Sequence, residues 1–220
     1  MLSSLQQNLQ RIYEIDVPHD VGDFLITDPA LARELEGGEG AREIDEKLLV
    51  AQDGDCIDVA LYVDEAVMQR LGNDDPIARL HDGNLADFCT ALEGVSHFVY
   101  LTWNATHERS VSLLELEIQA EIDKYVTMAL LIGQQASGKV PKALHRWLFD
   151  DPVFDSELDR ESLERYRDAN YYASRYCAML ERRYMGPYVS DERRSGLLND
   201  LRRFYRLRQR DKISCIQCAA

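Results

Sequence analysis

Residues 91–103, ALEGVSHFVYLTW, place a carboxylate and an imidazole four positions apart within an otherwise apolar run. Extended to residues 84–104, this segment has the apolar spacing of a long helix. Since a helix that is apolar nearly all round is buried in the core, we expect Glu93 and His97 to be at least half buried. Gly94 lies between them and disfavours a helix by about 1 kcal/mol relative to alanine, which indicates close approach of another backbone.

The next predicted helix carries an acidic side chain on its inward side. Glu121 lies between Ile118 and Tyr125, which belong to the apolar stripe of residues 112–135. Two consecutive helices joined by a short loop usually pack in antiparallel fashion. The sequence therefore predicts that Glu121 approaches Glu93 or His97 in the core.

Buried carboxylates need partners, because an isolated charge in the core is very costly. One candidate is an ion pair with a basic side chain of the later helices, such as Arg167 or Arg175. Another is a hydrogen-bonded cluster with nearby hydroxyl groups: Ser96, Tyr100, Tyr125 and Tyr172. A third is a divalent zinc, iron or manganese ion held by Glu93, His97 and Glu121. Extra ligands for such an ion would be His81 and His107.

The same three side chains are the candidate catalytic residues. Glu93, His97 and Glu121 would serve a metal-dependent hydrolase or oxidase, or a metal-free acid–base site. The Glu-x-x-x-His order matches neither HExxH nor the Glu-x-x-His of di-iron bundles. The sequence also lacks a P-loop, a Gly-x-Gly-x-x-Gly run and a Gly-x-Ser-x-Gly elbow. A structural polar network is therefore favoured over a metal or catalytic site.

Residues 47–63, KLLVAQDGDCIDVALYV, contain the strongest signal for β structure. Asp53-Gly54 separates two β-rich runs, which is typical of a two-residue hairpin. With that turn, Val50 lies opposite Ile57, and Leu48 lies opposite Val59. Residues 21–27 are predicted to be a further short strand of the same small antiparallel sheet.

The remaining pattern predicts helices, so the expected fold class is α+β and mostly helical. Residues 1–82 form a small α+β part with the hairpin. Residues 83–220 form a bundle of about four main helices, ending in one long helix over 191–213 that Ser190 caps. The alternative is one continuous domain.

Composition and charge point to a cytoplasmic protein. The net charge is −14, and 45% of the 220 residues are hydrophobic, but no apolar run reaches the roughly 18 residues of a membrane span. The N-terminus lacks the pattern of a signal peptide. The five cysteines are few and odd in number, which is typical of thiols in a reducing compartment.

The charge is unevenly distributed, and this decides the favoured function. Acidic residues dominate the first half, which disfavours general nucleic-acid binding, whereas arginines are concentrated after residue 160. The predicted partner-binding residues are Arg175, Arg182, Arg203 and Arg206. The favoured prediction is a non-enzymatic interaction or regulatory protein that contacts another protein, with self-association and nucleic-acid binding as further alternatives. The metal-dependent enzyme is the alternative function.

Overall fold

The computed structural model describes residues 1–37, 44–54, 56–136, 140–141, 143–185 and 191–218. Within these ranges the chain is mostly helical α+β, which confirms the predicted fold class. The helices are α1 (Leu2–Tyr13), α2 (Pro29–Glu36), α3 (Glu65–Asn73), α4 (Leu85–Thr106), α5 (Leu113–Gln135), α6 (Leu144–Phe149), α7 (Arg160–Tyr184), α8 (Asp191–Tyr205) and α9 (Gln209–Cys218). The strands are β1 (Leu25–Ile26), β2 (Glu46–Asp53) and β3 (Cys56–Val63).

Local sequence signals set several helix ends. Ser112 and Glu115 form a capping box at the start of α5, which satisfies two free backbone N–H groups of the first turn. Asp28 accepts a hydrogen bond from the Ala30 N–H ahead of α2, whose first residue is Pro29. The predicted Ser190 cap lies outside the described residues.

The hairpin is confirmed, but its predicted register is wrong. Val50 lies opposite Val59, and Leu48 lies opposite Leu61. The turn is therefore one residue later than predicted, and it begins at Gly54, whose φ of 60° suits glycine. Because the pairing shifts by two residues, each side chain stays on the face that the sequence predicted.

The sheet contains a parallel pair that the sequence analysis missed. Its strand order is β1-β3-β2, with β1 parallel and β2 antiparallel to β3. Most of the strand expected over residues 21–27 is instead a 3₁₀ turn, Val21–Phe24. One face contributes Leu61 and Val63 to the main core. The other face packs Leu49 and Tyr62 against Ala32 of α2.

The central pair of helices is α4 and α5. Helix α4 contacts α1, α3, α5 and both long strands, while α5 packs on α7. The apolar spacing noted over residues 84–104 places Phe88, Leu92, Val95 and Val99 in the core, each at most 1% exposed. Core residues come from both predicted parts of the chain, while the boundary at residues 82 and 83 stays a prediction. Within the described ranges, no helix is long and apolar enough to cross a membrane.

The prediction of one helix over 191–213 is wrong. Helix α8 ends at Tyr205, and the Leu207 N–H donates to the Phe204 carbonyl at 3.0 Å, which closes a tight turn before α9. The new helix then buries Lys212 and Ile216, which are 0% and 1% exposed. The break thus lets α9 direct both side chains into the interior.

Gly94 lets the β2–β3 hairpin pack closely against α4. A β-carbon there would lie 2.7 Å from Leu61 Cδ1 and 2.9 Å from Glu46 Cγ. The close approach expected from the sequence therefore exists, although it is made by hairpin side chains.

We expect Gly94→Ala to lower the free energy of unfolding by about 1–3 kcal/mol, because overpacking outweighs the better helix propensity of alanine. Urea denaturation measures this change. Gly72→Ala in α3 is the matched control, since no atom of the described residues lies within 4 Å of its β-carbon position; it should be neutral or slightly stabilising. Equal stability of the two variants would contradict the packing argument.

Candidate functional site

Seven ionisable side chains from β2, α4, α5 and α7 meet inside the fold. We call them the central charged cluster: Glu46, Glu93, His97, Glu117, Glu121, Lys124 and Arg165. Glu93 and His97 are one turn apart on α4, as are Glu117 and Glu121 on α5, so each pair shares a helix face. Glu46 reaches α4 at the position where Gly94 leaves space.

His97 lies between two carboxylates. Its Nδ1 is 3.5 Å from Glu46 Oε1, and its Nε2 is 3.5 Å from Glu117 Oε2. The residue is 8% exposed, and neither His97 Nε2 nor Glu46 Oε1 makes a hydrogen bond with any of the described residues. A buried polar atom without a partner is unusual and needs an explanation.

A possible metal-ligand set is centred on this imidazole. One donor atom each from Glu93, His97 and Glu117 lies within 4.8 Å of the other two. Glu93 and His97 belong to the predicted set, and Glu117 takes the place predicted for Glu121. Glu117 was not among the predicted ligands, and its position near the helix N-terminus partly explains an acidic residue there. Its four-residue spacing from Glu121 was the signal that could have identified it.

Glu121 instead belongs to an ion-paired group. Lys124 Nζ donates to Glu121 Oε1 at 2.6 Å and to Glu93 Oε2 at 3.0 Å. On the other side of the cluster, Arg165 Nε lies 3.7 Å from Glu117 Oε1. Lys124 and Arg165 thus supply the cations that the sequence analysis had sought in Arg167 or Arg175.

The electrostatics of the cluster favour the charged forms of His97 and Lys124, whereas burial raises the pKa values of Glu46 and Glu121. Burial alone would lower the pKa of His97, but Glu117 and Glu46 together raise it well above its usual value. Burial likewise opposes the charge of Lys124, but Glu93 and Glu121 raise its pKa. Without a bound ion, the cluster is therefore a network of alternating acidic and basic groups.

The other predicted neighbours of His97 have different partners. Ser96 donates to Asp123 Oδ2 at 2.6 Å, and Tyr125 donates to the Met185 sulfur at 3.5 Å. His81 pairs with Asp74, and His107 contacts the Trp103 carbonyl. The structure thus places both proposed extra ligands, and the hydroxyl groups of Ser96 and Tyr125, in other local networks.

A second buried polar group lies on another side of α5. Asp123 accepts hydrogen bonds from Tyr13, Ser96 and Gln119. Lys212 of α9 donates to Gln119 Oε1 at 2.6 Å, and its Nζ lies 4.7 Å from the ring centroids of Tyr100 and Phe204. Sequence analysis missed this group because α1 and α9 lie far apart in the chain.

The predicted partner-binding arginines differ in their surroundings. Arg206 donates to the carbonyls of Tyr13 and Glu14, so its guanidinium joins α8 to the end of α1. Arg175 is half-buried, with its guanidinium 5.5 Å from the Tyr171 ring centroid. Arg182 and Arg203 are exposed.

No protein family, no curated protein and no solved structure matches this chain. The function must therefore be inferred from the chemistry of the chain itself.

We expect Lys212→Met to change how stability depends on pH. Burial lowers the pKa of Lys212 from 10.5 to about 7, although Glu115 and Asp123 oppose this shift. Between pH 7 and pH 10.5, Lys212 binds more protons in the unfolded chain than in the folded protein. The free energy of unfolding of the wild type therefore rises with pH over this range and falls again as the pH is lowered towards 7. Urea denaturation of the wild type and the variant should show a stability difference that grows by up to about 1.4 kcal/mol per pH unit in favour of the wild type.

Lys47→Met is the control, since Lys47 is a partly exposed lysine on β2. A parallel pH profile for the wild type and Lys212→Met would show that Lys212 titrates normally in the folded protein.

Proposed function

We propose that this protein binds one divalent transition-metal ion through Glu93, His97 and Glu117. The observation that carries the proposal is the convergence of one donor atom each from Glu93, His97 and Glu117 within 4.8 Å of one another. Within the described part of the chain, the buried His97 Nε2 also lacks a hydrogen-bond partner. A metal ion would give this nitrogen the partner that it lacks.

The surroundings of His97 support this proposal. A metal-bound histidine usually directs its second nitrogen to a carboxylate, which orients the ring. Glu46 Oε1 lies 3.5 Å from Nδ1, on the far side of the ring from Glu117. Glu46 would thus orient the ligand while Nε2 faces the ion.

The charge balance also favours a divalent ion. An imidazole that binds a metal is neutral, which leaves the four glutamates and the cations Lys124 and Arg165 within the cluster. Two negative charges then remain uncompensated in a buried place, where such charge is costly. A divalent ion cancels them.

The donor types and their burial narrow the chemistry. One imidazole nitrogen with carboxylate oxygens suits zinc, iron or manganese, while calcium and magnesium prefer oxygen alone. The side chains of His97 and Glu117 are about one-tenth exposed, whereas that of Glu93 is 25% exposed. A reactant would therefore have to approach the ion from the side of Glu93. A metal-dependent hydrolase or oxidase would bind its substrate on that side.

We expect the untagged protein to retain near-stoichiometric zinc, iron or manganese when elemental analysis follows purification. His97→Ala and Glu117→Gln should lower the affinity for that ion at least about tenfold because each removes a ligand. Glu46→Gln should weaken metal binding by roughly 10–100-fold, because the His97 imidazole would lose the carboxylate that orients it. Titration of chelator-treated protein measures these affinities.

His107→Ala is the matched control, because His107 contacts Trp103 away from the cluster. Equal metal content in all variants would place the ion elsewhere. Failure of the wild type to bind zinc, Fe²⁺ or Mn²⁺ would overturn the proposal.

We also propose, as a second function, that the surface of α6 and α7 contacts an acidic protein partner. Helices α6 and α7 pack together, with Asn170 Nδ2 donating to the Phe149 carbonyl at 3.2 Å. Trp147 and Tyr171 on these helices are each more than half exposed, and aromatic and arginine side chains are typical of interaction hot spots. Arg175 beside Tyr171 favours an acidic surface on the partner.

We expect Trp147→Asp and Tyr171→Asp to abolish recovery of a stoichiometric partner from native lysate at low salt. Both variants place a negative charge where the proposed partner is negative. Leu113→Asp is the control, since Leu113 is equally exposed but lies at the start of α5. Recovery of no stoichiometric partner by the wild type, or equal recovery by all variants, would refute this second function.

A further inference from the structure

We infer that Lys124 occupies the second cation position of a two-cation carboxylate centre, so that the chain binds one metal ion where its glutamates would otherwise hold two. This inference rests on the proposed metal site at Glu93, His97 and Glu117. It assigns a role to Lys124 and Glu121, which that site does not use.

The first support is that Glu93 serves both positions. It contributes a donor atom to the group with His97 and Glu117, and its Oε2 accepts a hydrogen bond from Lys124 Nζ at 3.0 Å. Carboxylates from facing helices surround both ions in dinuclear carboxylate proteins, and such ions lie about 3.5–4 Å apart. Glu93 thus joins the proposed metal ion and the Lys124 ammonium as it would join two ions.

The second support is the set of groups around the ammonium. Lys124 Nζ also binds Glu121 Oε1 at 2.6 Å, and the lysine is 9% exposed. The side chains of Glu93 and Glu121 are only 25% and 23% exposed. Two carboxylates in such a place repel each other unless a cation lies between them. The lysine supplies that cation as a covalent part of the chain.

The third support is the position of these residues on α5. Glu117, Glu121 and Lys124 follow each other at spacings of four and three, so they share one face of the helix. Glu117 faces the proposed metal position, and Glu121 faces the ammonium. The same helix face therefore provides one carboxylate to each of the two cation positions.

Lysine and metal ions differ in one decisive respect. An ammonium is a compact single charge with three donor protons, and it cannot dissociate from the chain. The substitution Lys124→Gln would remove this charge but retain Glu93 and Glu121. The vacated position would then offer two carboxylates to a second divalent ion.

The test is to titrate chelator-treated wild type and Lys124→Gln with Mn²⁺, using calorimetry for the number of ions and electron paramagnetic resonance for their environment. We expect one ion in the wild type, with the spectrum of isolated Mn²⁺. Lys124→Gln should bind two, with a spectrum broadened by coupling between neighbouring ions. Lys124→Arg should keep one ion, and Lys124→Gln combined with Glu121→Gln should return to one.

The outcomes separate the two proposals. A wild type that binds no Mn²⁺, Zn²⁺ or Fe²⁺ overturns the proposed function and this inference with it. One ion in both the wild type and Lys124→Gln overturns the inference alone. If Lys124→Gln folds only when Mn²⁺ is present, the ion has replaced the ammonium, as expected. Failure of this variant to fold with and without Mn²⁺ shows that an ion does not take the place of the lysine, and overturns the inference.

Discussion

The fold depends on the pairing of buried charges at its centre. The side chains of Glu46 and Glu117 are about one-tenth exposed, and those of Glu93 and Glu121 are about one-quarter exposed. An unpaired carboxylate in such places is costly. Each of the four lies close to His97, Lys124 or Arg165. Since these groups come from a strand and three helices, that strand and those helices must dock together for the charges to be compensated. Packing of the surrounding apolar core and assembly of the charged cluster are therefore one event.

The sequence predicts helix positions well because local patterns determine them. The apolar stripe of α4, the Ser112–Glu115 capping box and the Asp28 cap depend on residues within a few positions of one another. The break between α8 and α9 was missed because it depends on burial of Lys212 and Ile216 by distant parts of the chain. The hairpin register was wrong for a different reason, since a single glycine can serve either position of a tight turn.

The distinction between local patterns and contacts with distant parts of the chain also applies to the candidate site. Burial and proximity of Glu93 and His97 follow from helical spacing, and the sequence identifies both. Glu46 is 47 residues before Glu93 along the chain, and its approach depends on how the hairpin packs over Gly94. Lys124 is one position from the predicted inward stripe, and no pattern within α5 shows that it faces α4. Long-range packing thus decides which charges meet, and a single sequence does not encode it in any local spacing.

Helix α5 carries polar groups towards two separate buried clusters. Glu117, Glu121 and Lys124 take part in the central charged cluster, while Gln119 and Asp123 bind Tyr13, Ser96 and Lys212. Apolar contacts are not directional, so a purely apolar helix is fixed in a core by shape complementarity alone. Rotation of α5 by one residue would also leave hydrogen-bonding groups unpaired in both clusters at once. The polar side chains of α5 thus help to select one rotation and one axial position, which makes them determinants of structural uniqueness.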